Sequence, residues 1–315
     1  MENFWKKLKQ PIIALAPMAG VTDAPFRLIC REHGADILYS EMASSSAIFF
    51  NRRKTMAMLK RGKKEKPYVV QLFGDNPSHF RFAAEIIRKE IKPEGIDINF
   101  GCPARKVIST GSGAVLMNNI KLAREIIEAV LAGAGKIPVS IKIRAGAKKV
   151  TAIKFVRAVR DLPLAAIMVH GRTLEQGFAG EPNYEIIKKV KSLVTIPVLA
   201  NGGIMKPEDA KVVLERTGAD GLGLARGVLG KPWLFRQTKE YLKQGKYEEV
   251  GRKEIEKLAL RHAKMMLKAK GPWGIKEMRK HLAWYFHGFP GASELRQKLV
   301  LVNSIAEVKK ILSQK

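Results

Sequence analysis

The sequence is poor in cysteine and in acid. Its 315 residues include two cysteines, Cys30 and Cys102, too few for a disulfide framework. These stand 72 positions apart and the six histidines are scattered, so no metal-ligand spacing appears and no metal is expected. No apolar run approaches the roughly 18 residues that a membrane span needs. Lysines precede an apolar stretch in MENFWKKLKQPIIALAPMAG, as in a signal peptide, but that stretch is short, contains Pro17 and continues into VTDAPFR, so it reads as a mature strand. No GxGxxG fingerprint follows a strand-like segment. The expectation is a cytoplasmic protein with no membrane association and no obligatory protein partner, working as a monomer.

What is abundant is positive charge. Fifty-seven Lys and Arg against 29 Asp and Glu give a net charge of +28. Such an excess suits a polyanion, nucleic acid above all, with a solvated lysine surface as the alternative. Residues 241–315 hold 17 of the cations and 7 of the acids, so the excess is shared along the chain.

Eight short apolar runs alternate with helix-period segments: IIALAPM, ILYSEM, YVVQLFG, IDINFG, VSIKIRAG, AAIMVHG, PVLANGG and GLGLARG. Eight β/α units predict an α/β fold, a (β/α)8 TIM barrel, although a doubly wound sheet shares the pattern. Beyond about residue 240 strands cease. Three helical stretches follow, EEVGRKEIEKLALRHAKMMLKAK, GIKEMRKHLAWYFHG and ASELRQKLVLVNSIAEVKKILSQ, broken at Gly271-Pro272 and around Pro290. The expected domains are a barrel over residues 1–240 and an all-α helical bundle over residues 241–315.

In such barrels the active site lies at the C-terminal ends of the strands. Those ends carry Pro17-Met18-Ala19, Glu41-Met42, Gln71, Asn99 with Cys102, Lys142 with Arg144, His170 with Arg172, Asn201-Gly202-Gly203 and Ala225-Arg226. Singly, each polar residue could be a satisfied core group; together at matching depth they suggest a site. The glycines and arginine of the last two strands occupy the position where barrels bind phosphate. With that anchor, Gln71 and Lys142 suit a flavin: an amide can pair with the pyrimidine edge of the ring, and an ammonium can stabilise negative charge there. The missing dinucleotide fingerprint favours FMN over FAD.

The set APMAGVTDAPFR, SEM, QLFGDNP, INFGCPARKV with GSGAVLM, SIKIRAG, VHGRTLEQGFAG, ANGGI and GLARGVLGKPWLF resembles the tRNA-dihydrouridine synthases. RKHLAWYFHGFPGASELRQKL is similar to their helical tRNA-binding domain, most like the bacterial B branch. The resemblance spans roughly residues 12–300 and implies an FMN enzyme that uses NADPH to reduce the C5–C6 bond of D-loop uridines in tRNA. It implies that Cys102 gives the proton to C5, a role suited to a neutral thiol. Pro17, Met18 and Ala19 would lie along the flavin, Gln71 and Lys142 at its pyrimidine edge and His170 near the ring or tail. Asn201, Gly202, Gly203, Ala225 and Arg226 would hold its phosphate. Asn99 would position the uracil, and Arg105, Lys106, Arg144 and Arg172 would meet the tRNA backbone around a flipped-out uridine.

One position departs from the family pattern. Ala225 precedes Arg226 where a Gly-Arg pair is usual, so its methyl group is expected to crowd the phosphate. Cys30, in FRLICREHG, reads as core. Arg279, His281, Trp284, Tyr285 and Arg296 combine bases and aromatics on helices; the aromatics read as bundle core before base platforms, and the cations as phosphate contacts. The rival readings are an FMN barrel acting on a small molecule, of dihydroorotate dehydrogenase or ene-reductase type, and a non-catalytic RNA-binding protein. The charge argues against the first, and the Cys102, Lys142, Gln71 and His170 set against the second.

Overall fold

The computed structural model describes residues 3–313. Its strands are β1 (Ile12–Leu15), β2 (Ile37–Ser44), β3 (Tyr68–Phe73), β4 (Gly95–Phe100), β5 (Val139–Arg144), β6 (Gly146–Ala147), β7 (Val150–Thr151), β8 (Ala166–His170), β9 (Val198–Asn201) and β10 (Gly221–Leu224). The eight expected strands form a closed parallel barrel in the order β1-β10-β9-β8-β5-β4-β3-β2. Closure comes from β1 against β10, with Ile12 opposite Gly221 and Leu15 opposite Leu224. The (β/α)8 barrel predicted from the strand count is therefore the architecture. The pair β6 and β7 forms a small antiparallel hairpin that the sequence pattern did not announce.

Period-two alternation sorts each strand into two layers. Outward residues such as Ile13, Leu15, Val70, Ile98 and Ile141 join the main core with Phe26, Phe80 and Phe155 of the surrounding helices. Inward residues Ile12, Ala14, Tyr39, Val69, Met168 and Leu199 fill the lumen. The short 3-10 turn Phe4–Lys7 adds Trp5, 2% exposed, to this inner cluster beside strand-start residues such as Ile37 and Ala166. The bottom of the barrel is thus solid, and any site must open at the top.

Beyond the barrel come the helices Arg252–Lys270, Pro272–Tyr285, Ala292–Leu299 and Ile305–Ser313. The third expected helical stretch is two helices. Ser304 and Glu307 form a reciprocal cap, Glu307 donating its amide to the Ser304 hydroxyl at 3.2 Å, and this starts a new helix after the turn. These helices have a core of their own, including Leu258, Met266, Met278, Leu282, Phe286 and Val308, to which the barrel side contributes Ile29 and Trp233. The helix Leu234–Gln244 runs across residue 240.

The helical unit docks on the helix Ala24–Glu32 of the barrel. Asp23 caps that helix through Phe26 N–H and also pairs with Lys270 at 2.7 Å. The Phe26 ring lies 5.9 Å from His262 and 5.4 Å from His281, both fully buried. His262 shares a hydrogen bond with the Tyr285 hydroxyl; its Nε2 and both His281 nitrogens have no partner. No helix of the described residues is long and apolar enough to cross a membrane.

Burial holds the pKa of His281 well below 6.5 and that of His262 at about 4. Both therefore stay neutral when folded, while the unfolded chain takes up protons below about 6.5, so their stabilising contribution is full above that pH and fades below it. The urea midpoint is expected to fall as pH drops from about 6.5 towards 4, the unfolding free energy falling by up to about 1.4 kcal/mol per pH unit for each imidazole. A flat midpoint over that interval would count against the buried pair. Gly230 sits at φ +71°, where an added Cβ would meet the Trp284 carbonyl oxygen at 2.0 Å. Gly230→Ala should destabilise the docked helices by about 3 kcal/mol, read from denaturation midpoints, because it adds left-handed strain to a backbone clash.

Candidate active site

The alternation that fills the lower lumen with aliphatic groups delivers polar ones above. Register places Gln71 beside Asp97, Asp97 beside Ser140 and Asn99 beside Lys142, so β3, β4 and β5 present one connected polar surface. Above it opens a cavity of about 350 Å³. Pro17, Met18 and Ala19 line it from β1, Gln71 from β3, Asn99 and Cys102 from β4, and Lys142 and Arg144 from β5. His170 and Arg172 enter from β8, Asn201, Gly202 and Gly203 from β9, and Ala225 and Arg226 from β10. Arg105 and Lys106 do not line it. They are exposed on the short helix Arg105–Ile108 just after Cys102.

The polar floor is tightly bonded. Asp97, with no exposed surface, accepts from Gln71 Nε2 at 2.7 Å and from the Ser140 hydroxyl at 2.6 Å. Gln71 Oε1 accepts from Asn99 Nδ2 at 2.9 Å. Asn99 Oδ1 in turn accepts the backbone N–H groups of Gly101 at 2.9 Å and Cys102 at 2.8 Å. Burial pushes the Asp97 carboxyl up to about 6, against the opposing pull of those donors and of Lys142. Lys142 reaches Asn201 Oδ1 at 3.2 Å, and Asn201 is fixed by donating to the Gly223 carbonyl at 2.6 Å. Burial first, then Arg144, lowers the Lys142 ammonium to about 8, so it is charged at neutral pH with little margin.

The Cys102 thiol is half-buried, and burial raises its pKa although the Ala104 N–H, Arg144 and Lys142 oppose the rise. It is a neutral S–H at physiological pH. Arg144, only 2% exposed, gives its Nε to the Gly101 carbonyl at 2.7 Å and its Nη1 to Thr173 and Gly177, bracing the cysteine loop. Arg172 is also buried and gives its Nε to the Gly180 carbonyl at 2.8 Å, while its buried Nη1 has no partner. Both guanidinium groups thus belong to the pocket wall, unlike the exposed Arg105 and Lys106.

That unpartnered Nη1 lies beside Gly202, whose φ is +104° and where a Cβ would come within 2.8 Å of the His170 ring. Glycine leaves this backbone bare at the end of the pocket that Arg226 also lines. Burial, reinforced by Lys142, Arg144, Arg172 and Arg226, keeps the His170 imidazole neutral with a pKa far below its ordinary value. Four cations converge here above a single carboxylate, an arrangement that favours an anionic ligand. Ala225 has φ −128° and ψ −106°, outside the left-handed region that favours glycine.

Met42, one of the strand-end residues, lines the cavity from near the end of β2, whereas its neighbour Glu41 turns away to accept the Gly20 N–H and brace the loop after β1. One lining residue, Phe178, escapes sequence reasoning. Phe178, 58% exposed, lies under Arg226 at 4.5 Å in the loop after β8. Cys30 is fully buried, as expected of a core residue. Trp284 packs against the barrel core and Tyr285 within the helical core. Arg279 and Arg296 spend donors on the Val302 and Phe286 carbonyls, so they brace turns within the helical unit. Among the described residues, no group of three His, Cys, Asp or Glu side chains could hold a metal ion.

Comparison with known proteins bears on this site. A family model described as dihydrouridine synthase (Dus) matches residues 14–315. The tRNA-dihydrouridine synthase B of Pseudomonas aeruginosa is 38% identical over 288 residues, covering 90% of this chain and 86% of that protein. The probable tRNA-dihydrouridine synthase 1 of Synechocystis sp. is 37% identical over 306 residues, covering 95% and 84%. Among solved structures, the crystal structure of TcOYE with pHBA has a TM-score of 0.55 over 81% of this chain and 96% of that one. At 10% identity that likeness speaks for the barrel fold alone. The family model, the length of the matches and the motif residues gathered in one pocket together establish that this chain belongs to the dihydrouridine synthase (Dus) family and is similar to its B-type members.

Proposed function

We propose that this chain reduces the C5–C6 double bond of D-loop uridines in tRNA to dihydrouridine, with FMN as cofactor and NADPH as reductant. One observation carries the reading: a neutral thiol, an amide and ammonium wall and a bare glycine backbone under arginines share a single cavity. The orphaned Nη1 of Arg172 beside Gly202 supports a phosphate at that end, held also by Arg226 and the backbone N–H groups of Gly203 and Ala225. In this reading Arg172 serves the cofactor and Arg105 and Lys106 serve the tRNA backbone.

A flavin bound there would supply hydride transfer from NADPH to uracil C6. Lys142 offers the ammonium that stabilises negative charge at the pyrimidine edge, and Gln71 the amide that pairs there. Pro17, Met18 and Ala19 form an apolar bed that excludes water. Asn99 holds the Cys102 loop, and the Cys102 S–H donates the proton to C5. Solvent then restores the thiol proton, so each uridine consumes one NADPH and one proton. Residues 1–240 hold the cofactor, residues 241–315 join them in binding tRNA, and the two free thiols suit a cytoplasmic setting.

The test is the visible spectrum of the protein reconstituted with FMN. Flavin bands should bleach with NADPH and return anaerobically when unmodified tRNA is added; recovery with an enone or orotate but not with tRNA would overturn the substrate assignment. Cys102→Ala should keep the bleaching yet lose about 10²- to 10⁴-fold in uridine reduction, the usual worth of a general acid. Binding of tRNA should weaken steeply with salt, log Kd rising linearly with log salt concentration, because phosphate contacts release counterions. A flat salt titration would assign the net charge of +28 to some other purpose.

A further inference from the structure

The catalytic cysteine sits at the end of a one-way chain of hydrogen bonds that starts at a carboxylate. Asp97 Oδ2 accepts from Gln71, Gln71 accepts from Asn99, and Asn99 accepts from the N–H groups of Gly101 and Cys102. Each carboxamide has a donor end and an acceptor end, so the orientation of one dictates that of the next. An ionised carboxylate offers only acceptors. It therefore obliges Gln71 to present Nε2 downward and Oε1 upward, and Asn99 to turn Oδ1 towards the cysteine loop. Arg144, which grips the Gly101 carbonyl at 2.7 Å, holds the same loop from the opposite polarity.

We propose that Asp97 is a positioning residue whose acceptor-only carboxylate sets the direction of the Gln71–Asn99 relay and so fixes the loop that carries Cys102. The geometry is independent of the reaction, while its catalytic meaning rests on the function proposed above. Asp97 touches neither the cavity nor Cys102, and it is absent from the cavity lining although its partners Gln71 and Asn99 belong to it. Ser140 completes the anchor by donating to Oδ1, leaving Oδ2 for Gln71.

Reversing the polarity is the decisive test. Asn99→Asp alone should loosen the loop, because its carboxylate would oppose the Gln71 oxygen while Asp97 forbids Gln71 to flip; hydrogen exchange of the peptide covering residues 99–104 should accelerate about tenfold, the worth of roughly one lost hydrogen bond. In Asp97→Asn alone the Ser140 hydroxyl can meet either end of the new amide, so Gln71 is free to keep its direction or to flip. The double variant Asp97→Asn with Asn99→Asp moves the acceptor-only group to the other end of the relay and should bring exchange back to within about threefold of wild type.

Protection around the buried Cys30 reports global stability in every variant. If Asn99→Asp protects the loop like wild type, or if the double variant stays as loose as Asn99→Asp, the relay is refuted. A residue that merely filled space would give no such rescue. Titration of the wild-type protein with FMN, followed by flavin fluorescence, separates the two proposals: absence of FMN binding would sink the proposed function and leave the exchange result decisive for the relay.

Discussion

A carboxylate buried in an apolar barrel is the constraint around which this site is arranged. An unpaired charge there would cost several kcal/mol, so Asp97 must be met by donors. Gln71 and Ser140 meet it from both neighbouring strands, at positions fixed by the parallel register. Meeting it removes their freedom to point elsewhere, and the order passes upward from strand to loop. The polar floor of the pocket is thus a condition of the barrel's stability as well as a surface for chemistry.

The electrostatics above that floor lean one way. Burial first, then Lys142, Arg144, Arg172 and Arg226, keep His170 neutral, and burial keeps Cys102 protonated. A site with so many cations usually makes thiolates, as neighbouring positive charge lowers a thiol pKa. Here desolvation exceeds that pull. The cysteine remains an acid in the midst of groups that would otherwise have made it a nucleophile.

Much of this was legible in the sequence. The eight strands announce themselves as short apolar runs ending in turn residues, and every polar strand end picked out for a cofactor lies on one cavity. Asp97 was not legible, because a charge within IDINFG reads as an ordinary outward residue until register reveals Gln71 and Ser140 on either side. Phe178 lies in a loop with no periodicity to mark it. The hairpin of β6 and β7 has two-residue strands, too short for any pattern. The break before Ile305 was written as Ser304 to Glu307, but the apolar run around it hid the cap. Arg144 and Arg172 look like surface cations in one dimension, whereas the barrel turns them inward onto backbone carbonyls.

The plugged lower lumen also governs the order of events. Trp5 and the aliphatic packing above it close the lower lumen, so among the described residues the cavity opens at the top. In the proposed reaction two bulky reactants, a nicotinamide dinucleotide and a tRNA loop, need the same ring through that doorway. They must take turns, the first leaving before the second arrives, and the enzyme must carry the electrons in the interval. For the proposed reaction a cul-de-sac would thus impose ping-pong kinetics, with each reactant a competitor for the other's form of the enzyme.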